Sequence, residues 1–365
     1  MKIRTITCHD VYNAGASLQA FALQKYLSGL GHDVEIIDYK PEYLSRHYSL
    51  SAVNNPAYRK PGLRELYILA KLPKRLKRLK NPKKINFDRF RKEYMKLTKR
   101  RYRSFRELRQ HCPEADLYIA GSDQIWNPLF PNGKDPAFFL DFVPEGKRKA
   151  SYAASFAVTE IEDEERIRIE DYLRRFDAVS VREQSALKLL EKMKVSGTHV
   201  CDPVFLLKEA AWRALAVPCM EQRPYIFVYD FDRNTAVQER IREFAKQNDL
   251  AIISAFPFEG GRYLPDLGPQ EFLGVMANAK MVISNSFHAT AFSIIFHIPF
   301  AVFARRENIN VRMNDLLEYF GCREIAMIDE TSEIEKKEFR WDEIDQKKDE
   351  LVRQSETYLK NCIGR

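Results

Sequence analysis

The feature that most constrains this chain is the regular alternation of short apolar runs with amphipathic helical segments, joined by connections of a few residues. Residues 2–8 read as a buried first strand. Residues 17–30 read as a helix, with Ala20, Leu23, Leu27 and Leu30 at helical spacing and Ser17 as its N-cap. After Gly31, residues 33–38 form the next strand through Val34, Ile36 and Ile37. A βαβ opening of this kind predicts a parallel sheet covered by helices. Strands are expected again at 116–120, 137–143, 149–156 and 178–181, with helices at 162–176 and 183–193. The pattern loosens around 203–224 and then restarts: strands at 225–229, 250–255, 281–284 and 300–303 alternate with helices at 235–247, 269–279, 288–297 and 311–319. The fold class expected is therefore α/β, two Rossmann-like doubly wound domains in series. The first spans residues 1–207, with a basic helical insertion at about 61–110, and is expected to bind the acceptor. The second spans 208–341 and is expected to bind the donor, with a C-terminal helix at 342–365 packing back on the first. Ligands of open α/β sheets bind at the carboxyl ends of the strands, which points to a cleft between the halves.

Composition narrows the class. No apolar run approaches the ~20 residues that span a bilayer, and the short apolar start runs into His9 and Asp10 in place of a cleavage site, so a cytoplasmic enzyme is expected. Cys8, Cys112, Cys201, Cys219, Cys322 and Cys362 are scattered without a C-x-x-C pair, and the histidines include no H-E-x-x-H. Neither a disulfide framework nor a metal site is expected. The net charge of +8 hides an asymmetry: from Lys71 to Arg109 eighteen Lys and Arg face three acids, so the rest of the chain is net −7. The helices expected at 63–79, bent at Pro73, and at 87–97 place Phe87, Phe90, Tyr94 and Leu97 on one stripe and cations on the other face. That stripe predicts packing on the protein with cations outward, suited to adsorption on an anionic membrane surface; a merely solvated face is the other reading.

Four loops at strand ends carry the polar residues. His9-Asp-Val-Tyr-Asn-Ala-Gly-Ala-Ser17 offers Asn13, Ser17 and a close backbone approach at Gly15, suited to a sugar or an anion, although a turn and cap would use the same residues. Gly121-Ser-Asp-Gln-Ile-Trp-Asn127 gathers Ser122, Asp123, Gln124 and Trp126, with Asp123 placed to handle a hydroxyl and Trp126 to stack on a sugar. Ser180-Val-Arg-Glu183 presents Arg182, either as an anion clamp or as a partner for Glu183. Ser284-Asn-Ser-Phe-His-Ala-Thr290 puts His288 in the first turn of a helix among the capping residues Ser284, Asn285 and Ser286, where a helix N-terminus favours a phosphate or carboxylate.

These blocks, with Cys201-Asp-Pro-Val-Phe205 between the third and fourth, occur in an order that resembles the polysaccharide pyruvyltransferase family from the first strand to about Gly321. The resemblance implies a GT-B-like fold and transfer of pyruvate from phosphoenolpyruvate to two hydroxyls of a sugar or lipid-linked oligosaccharide of a cell-surface polysaccharide, with phosphoenolpyruvate as co-substrate and no cofactor. His288 matches the family's histidine and is the expected proton-transfer residue, with Asp123 on the acceptor hydroxyl. Ser286 stands where many members carry an arginine. The donor's charge is then expected to fall to Arg182 and Arg312, beside Asn285 and Ser286, with Arg305 and Arg306 as further cations. Asn13, Gly15, Ser17, Ser122, Gln124 and Trp126 are expected on the acceptor side. Two alternatives stay open: a nucleotide-sugar glycosyltransferase or epimerase on the same fold, and a nucleic-acid-binding protein. Against the second, the excess charge is confined to one insertion and would leave the strand-end loops without a role.

Overall fold

Parallel pairing accounts for every strand described. The computed structural model describes residues 1–44, 48, 53, 56–58, 60, 62–306, 310–329 and 332–364. Its first sheet contains β1 (Lys2–Ile6), β2 (Asp33–Tyr39), β3 (Leu97–Tyr102), β4 (Leu117–Ala120) and β5 (Arg148–Ser151), in the order β3-β2-β1-β4-β5. A short pair, β6 (Ser180–Val181) with β7 (Thr198–His199), extends it through bridges between Ala150 and Ala178 and between Ala154 and Val181. The second sheet contains β8 (Tyr225–Tyr229), β9 (Ala251–Ser254), β10 (Arg262–Tyr263), β11 (Met281–Ser284), β12 (Phe300–Phe303) and β13 (Met327–Ile328), in the order β10-β9-β8-β11-β12-β13. Strands β4, β8, β11 and β12 are buried at every residue. They are continuous apolar runs because parallel sheets are covered by helices on both faces.

The helices of the first half are α1 (Ala14–Gly29), α2 (Leu63–Leu79), α3 (Pro82–Tyr94), α4 (Phe105–Gln110), α5 (Asp163–Leu173) and α6 (Gln184–Lys192). In the second half they are α7 (Glu209–Leu215), α8 (Thr235–Gln247), α9 (Pro269–Ala277), α10 (Phe287–Ile295), α11 (Val311–Phe320), α12 (Arg323–Ala326) and α13 (Trp341–Gly364). One apolar cluster joins the halves, running from Ile3, Leu18 and Leu23 through Trp212 to Phe227 and Phe292. Helix α13 returns to the first half: Tyr358 Oη donates to the Ser151 carbonyl at 2.8 Å, and Ser355 Oγ accepts the Cys201 amide at 2.9 Å.

Several local expectations are corrected. The cap of α1 is Asn13, whose side chain accepts the Ala16 amide at 3.2 Å, and Ser17 lies buried inside the helix. The helix of the basic segment ends at Tyr94, and Leu97 opens β3, an edge strand beside β2. Residues 137–143 are not a strand. Asp135 accepts the Ala137 amide at 2.9 Å and Pro136 starts a 3-10 turn, so the run is apolar because Ala137, Phe138 and Phe139 fill the core. The strand expected at 149–156 stops at Ser151, with Ala153 and Ala157 at φ 54° and 56°, outside strand geometry. Among the described residues no helix is long and apolar enough to cross a membrane, and no cluster of His, Cys, Asp and Glu is arranged to hold a metal ion.

Candidate active site between the two sheets

Each sheet reverses its strand order once beside its first strand, between β1 and β4 in the first and between β8 and β11 in the second. Such switch points open a crevice at the carboxyl ends of the strands. Here the two crevices face one another around a cavity of about 240 Å³. Val11 and Asn13 reach it from the β1–α1 connection, Ala16 from the first turn of α1, and Asp123 and Gln124 from the loop after β4. From the second half come Phe231 after β8, Asn285 to His288 after β11, Phe303 and Arg305 at the end of β12, and Asn310, Arg312 and Met313 at the start of α11.

His288 is the second residue of α10, whose N-cap Ser286 accepts the Ala289 amide at 3.5 Å. Its Nε2 lies 3.5 Å from Asp202 Oδ2, an ion-pair distance without a well-formed hydrogen bond. Asp202 is fully buried. Its Oδ2 accepts from Arg182 Nη1 at 2.7 Å and Ser122 Oγ at 3.2 Å, and its Oδ1 accepts the Val204 amide at 3.1 Å. Burial acts to raise the Asp202 pKa, but the His288 imidazole and the Arg182 guanidinium outweigh it and hold the carboxyl well below the usual carboxylate range. A fixed carboxylate behind an imidazole orients the ring and stabilises it once it has taken a proton. The start of α1 closes on the other side of the ring: a Cβ at position 15 would overlap the His288 imidazole. Only glycine allows this approach.

Two buried guanidiniums flank Phe287, with Arg182 Cζ 4.2 Å and Arg312 Cζ 5.8 Å from the ring centre. Arg182 stands behind the cavity wall, balanced by Asp202 and by Glu183, the latter at 3.4 Å. Arg312 has only a loose pairing with Asp123, at 3.8 Å, and its Nε makes no hydrogen bond among the described residues. Burial, and then the repulsion of Arg182, pushes Arg312 down to about 10. A buried cation of this kind is stabilised by an anion in the cavity. Arg305 lies 4.9 Å over Phe231 and adds a second cation to the lining. Asp123 takes the left-handed conformation at φ 77°, and its Oδ1 accepts the Gln124 amide at 2.9 Å.

The structure thus brings Asn13, Asp123, Gln124, Asn285, Ser286, His288 and Arg312 to one cavity, and keeps others out of it. Trp126 is fully buried, stacked on Phe139, with Nε1 donating to the Phe138 carbonyl at 3.0 Å, so it presents no face to a sugar. Ser17 and Ser122 are buried, Gly15 abuts the His288 ring, and Arg306 is exposed outside the lining. Asn285 lines the cavity with its amide engaged: Nδ2 donates to Asp230 Oδ1 at 2.9 Å and Oδ1 accepts the Phe231 amide at 3.0 Å. Asp202 is the residue the motifs contained without a role. Its position before Pro203 reads locally as a turn cap, and only the return of α10 gives it a histidine.

A cavity at paired switch points between two parallel sheets defines the GT-B-like class. Two solved structures share the fold over nearly the whole chain. One is described as a UDP-N-acetylglucosamine 2-epimerase of Listeria monocytogenes (10% identity, 98% of this chain and 89% of that one, TM-score 0.53). The other is S. aureus MnaA with UDP (11% identity, 98% and 89%, TM-score 0.51). No curated protein matches in sequence. The family model described as polysaccharide pyruvyl transferase matches residues 13–307, and the chain belongs to that family.

Proposed function

We propose that this protein transfers pyruvate from phosphoenolpyruvate to two hydroxyls of one sugar in a cell-surface polysaccharide or its lipid-linked precursor, a cytoplasmic reaction that leaves a pyruvate ketal and inorganic phosphate. The observation that carries the reading is the joint presence in one cavity of a carboxylate-backed histidine, two arginines and the start of α10. Protonation of the donor's methylene carbon gives an oxocarbenium-like centre. One sugar hydroxyl adds to it and loses its proton, phosphate departs, and the second hydroxyl closes the ketal with loss of the other proton. One proton thus replaces the one consumed and the other leaves with phosphate. His288 is the group suited to move these protons, and Asp123 lies on the wall where an acceptor hydroxyl would sit. Arg312 and Arg305 face the donor's charge and take the part of the arginine absent at Ser286.

The test is phosphate release from phosphoenolpyruvate by the purified protein across a panel of nitrophenyl and lipid-linked sugars, with UDP-sugars in parallel. Donor-dependent, sugar-dependent phosphate release is expected. Thermal stabilisation by UDP-sugars and none by phosphoenolpyruvate would transfer the reading to nucleotide-sugar chemistry.

A further inference from the structure

Helix α2 keeps none of its residues buried. Leu66, Leu69 and Leu76 are 64%, 66% and 48% exposed. At helical spacing they share one arc with Ile68, Leu72 and Leu79, interrupted in the first turn by Glu65, which accepts the Gly62 amide, and among the described residues none of the six joins an apolar cluster. The opposite arc carries Arg64, Lys71, Lys74, Arg75, Lys77 and Arg78. Lys71, Lys74 and Lys77 make no ion pair among the described residues. Among the described elements α2 packs against the turn Pro56–Tyr58, where Tyr67 stacks on Tyr58.

We propose that α2 is an interfacial anchor that lies in the plane of an anionic lipid bilayer, its leucine face entering the acyl boundary while its cations reach the lipid phosphates. Both faces need an occupant, and charge complementarity decides which. A nucleic acid would satisfy the lysines and leave the leucines in water. A second copy packed leucine to leucine would bring cations together, Lys77 at the margin of the apolar arc and Lys80 just past the helix end within it. An anionic bilayer satisfies both faces of one helix. The sequence alone suggested adsorption by charge with the apolar stripe turned inward. Phe87 and Phe90 of α3 are indeed buried, but the leucines of α2 are not, so the structure favours insertion of that face. The inference does not rest on the proposed reaction, although it would hold the cavity near a lipid-linked acceptor.

Flotation of the full chain with vesicles tests it, using neutral phosphatidylcholine alone and the same lipid mixed with phosphatidylglycerol. The wild type is expected to float with the anionic vesicles and not with the neutral ones. L66S/L69S/L76S should lose at least about tenfold in partitioning with every cation intact, at the ~0.8 kcal/mol that each buried CH₂ contributes. K71E/K74E/K77E should lose more than about 10²-fold, at roughly fivefold per cation. A single reporter, Leu69→Trp, should shift its emission to the blue on anionic vesicles only, and it needs no multiple variant to fold. The inference is overturned by any of four results: no flotation with anionic vesicles, equal flotation with neutral ones, wild-type binding by the leucine variant, or a dimer in light scattering that the same leucine changes abolish.

Discussion

The two walls of the cavity are built alike and charged differently. Both are loops at the carboxyl ends of parallel strands. The first-half wall presents Asn13, Gln124 and one carboxylate, Asp123, whereas the second-half wall presents His288, Arg305 and Arg312 among Phe231, Phe287 and Phe303. Two walls of unlike charge suit two unlike substrates, a neutral polyol against the amides and an anion against the arginines. Assigning acceptor and donor to those walls belongs to the proposed function, and substitutions can break or sharpen the comparison.

The largest expected effect is at His288. His288→Ala should lower the rate of phosphate release about 10²- to 10⁴-fold with the folded circular-dichroism spectrum retained, because a first-turn helix position accepts alanine and Asp202 keeps Arg182 as its charge partner. Activity within a few-fold of wild type would move the proton chemistry to the other wall. Next is Gly15→Ala, which touches no ligand directly. Its Cβ must displace the His288 ring, and a misplacement near 1 Å costs about 10²-fold. The loss should fall on kcat and should be absent in a His288→Ala background, a result the two single variants and the double variant report together.

A smaller and more discriminating effect is expected at Arg312. Arg312→Ala should raise the donor KM about 10- to 150-fold, the equivalent of roughly 1.5–3 kcal/mol for a lost charged hydrogen bond, and leave the acceptor KM nearly unchanged. Asn13→Ala should do the reverse with a weaker effect. Equal shifts in both constants for either variant would mean that the walls do not divide the substrates.

The last effect is on stability. Asp202→Asn removes the nearer of the two carboxylates beside buried Arg182 and leaves Glu183 at 3.4 Å, so the cost should be at or below the about 3–5 kcal/mol of a buried pair broken from one side. The Asp202 carboxyl is depressed in the folded state. Its contribution is therefore complete above the unfolded carboxylate pKa and is lost as pH falls through the lower folded value. Chemical denaturation from neutral to acid pH should show wild type losing stability over that window, with the difference between wild type and variant shrinking as the pH drops.

Much of the fold was legible because its signals are local. Buried parallel strands such as Tyr225–Tyr229 are short apolar runs, and α10 follows β11 after a capping serine. The failures have local causes too. The run after Asp135-Pro136 is apolar for burial in a turn, and apolarity alone does not separate a buried turn from a buried strand. The four polar loops were identifiable from their residues beside strand ends, but which of them reach the cavity, and in what direction they face, was not. Trp126 and Gln124 belong to one loop, yet one is sealed in the core and the other lines the cavity.

The sequence by itself determined the two α/β units, the polar loops at the strand ends and the histidine at the start of a helix, since helical and strand periods, caps and loop composition are properties of neighbouring residues. Tertiary structure alone decided that Asp202 stands behind His288, that Gly15 gives way to its ring, and that Arg312 is left facing a cavity with an unmet donor. It also separated α2 from α3, both strongly basic in sequence: α3 buries Phe87 and Phe90 and ties Arg91 to Asp10 and Arg89 to Glu271, while α2 leaves its leucines outside. The reason is common to all of these. Each is a meeting of residues distant in the chain, fixed by how two sheets and their helices pack, and no period or motif within one segment records what will lie across from it.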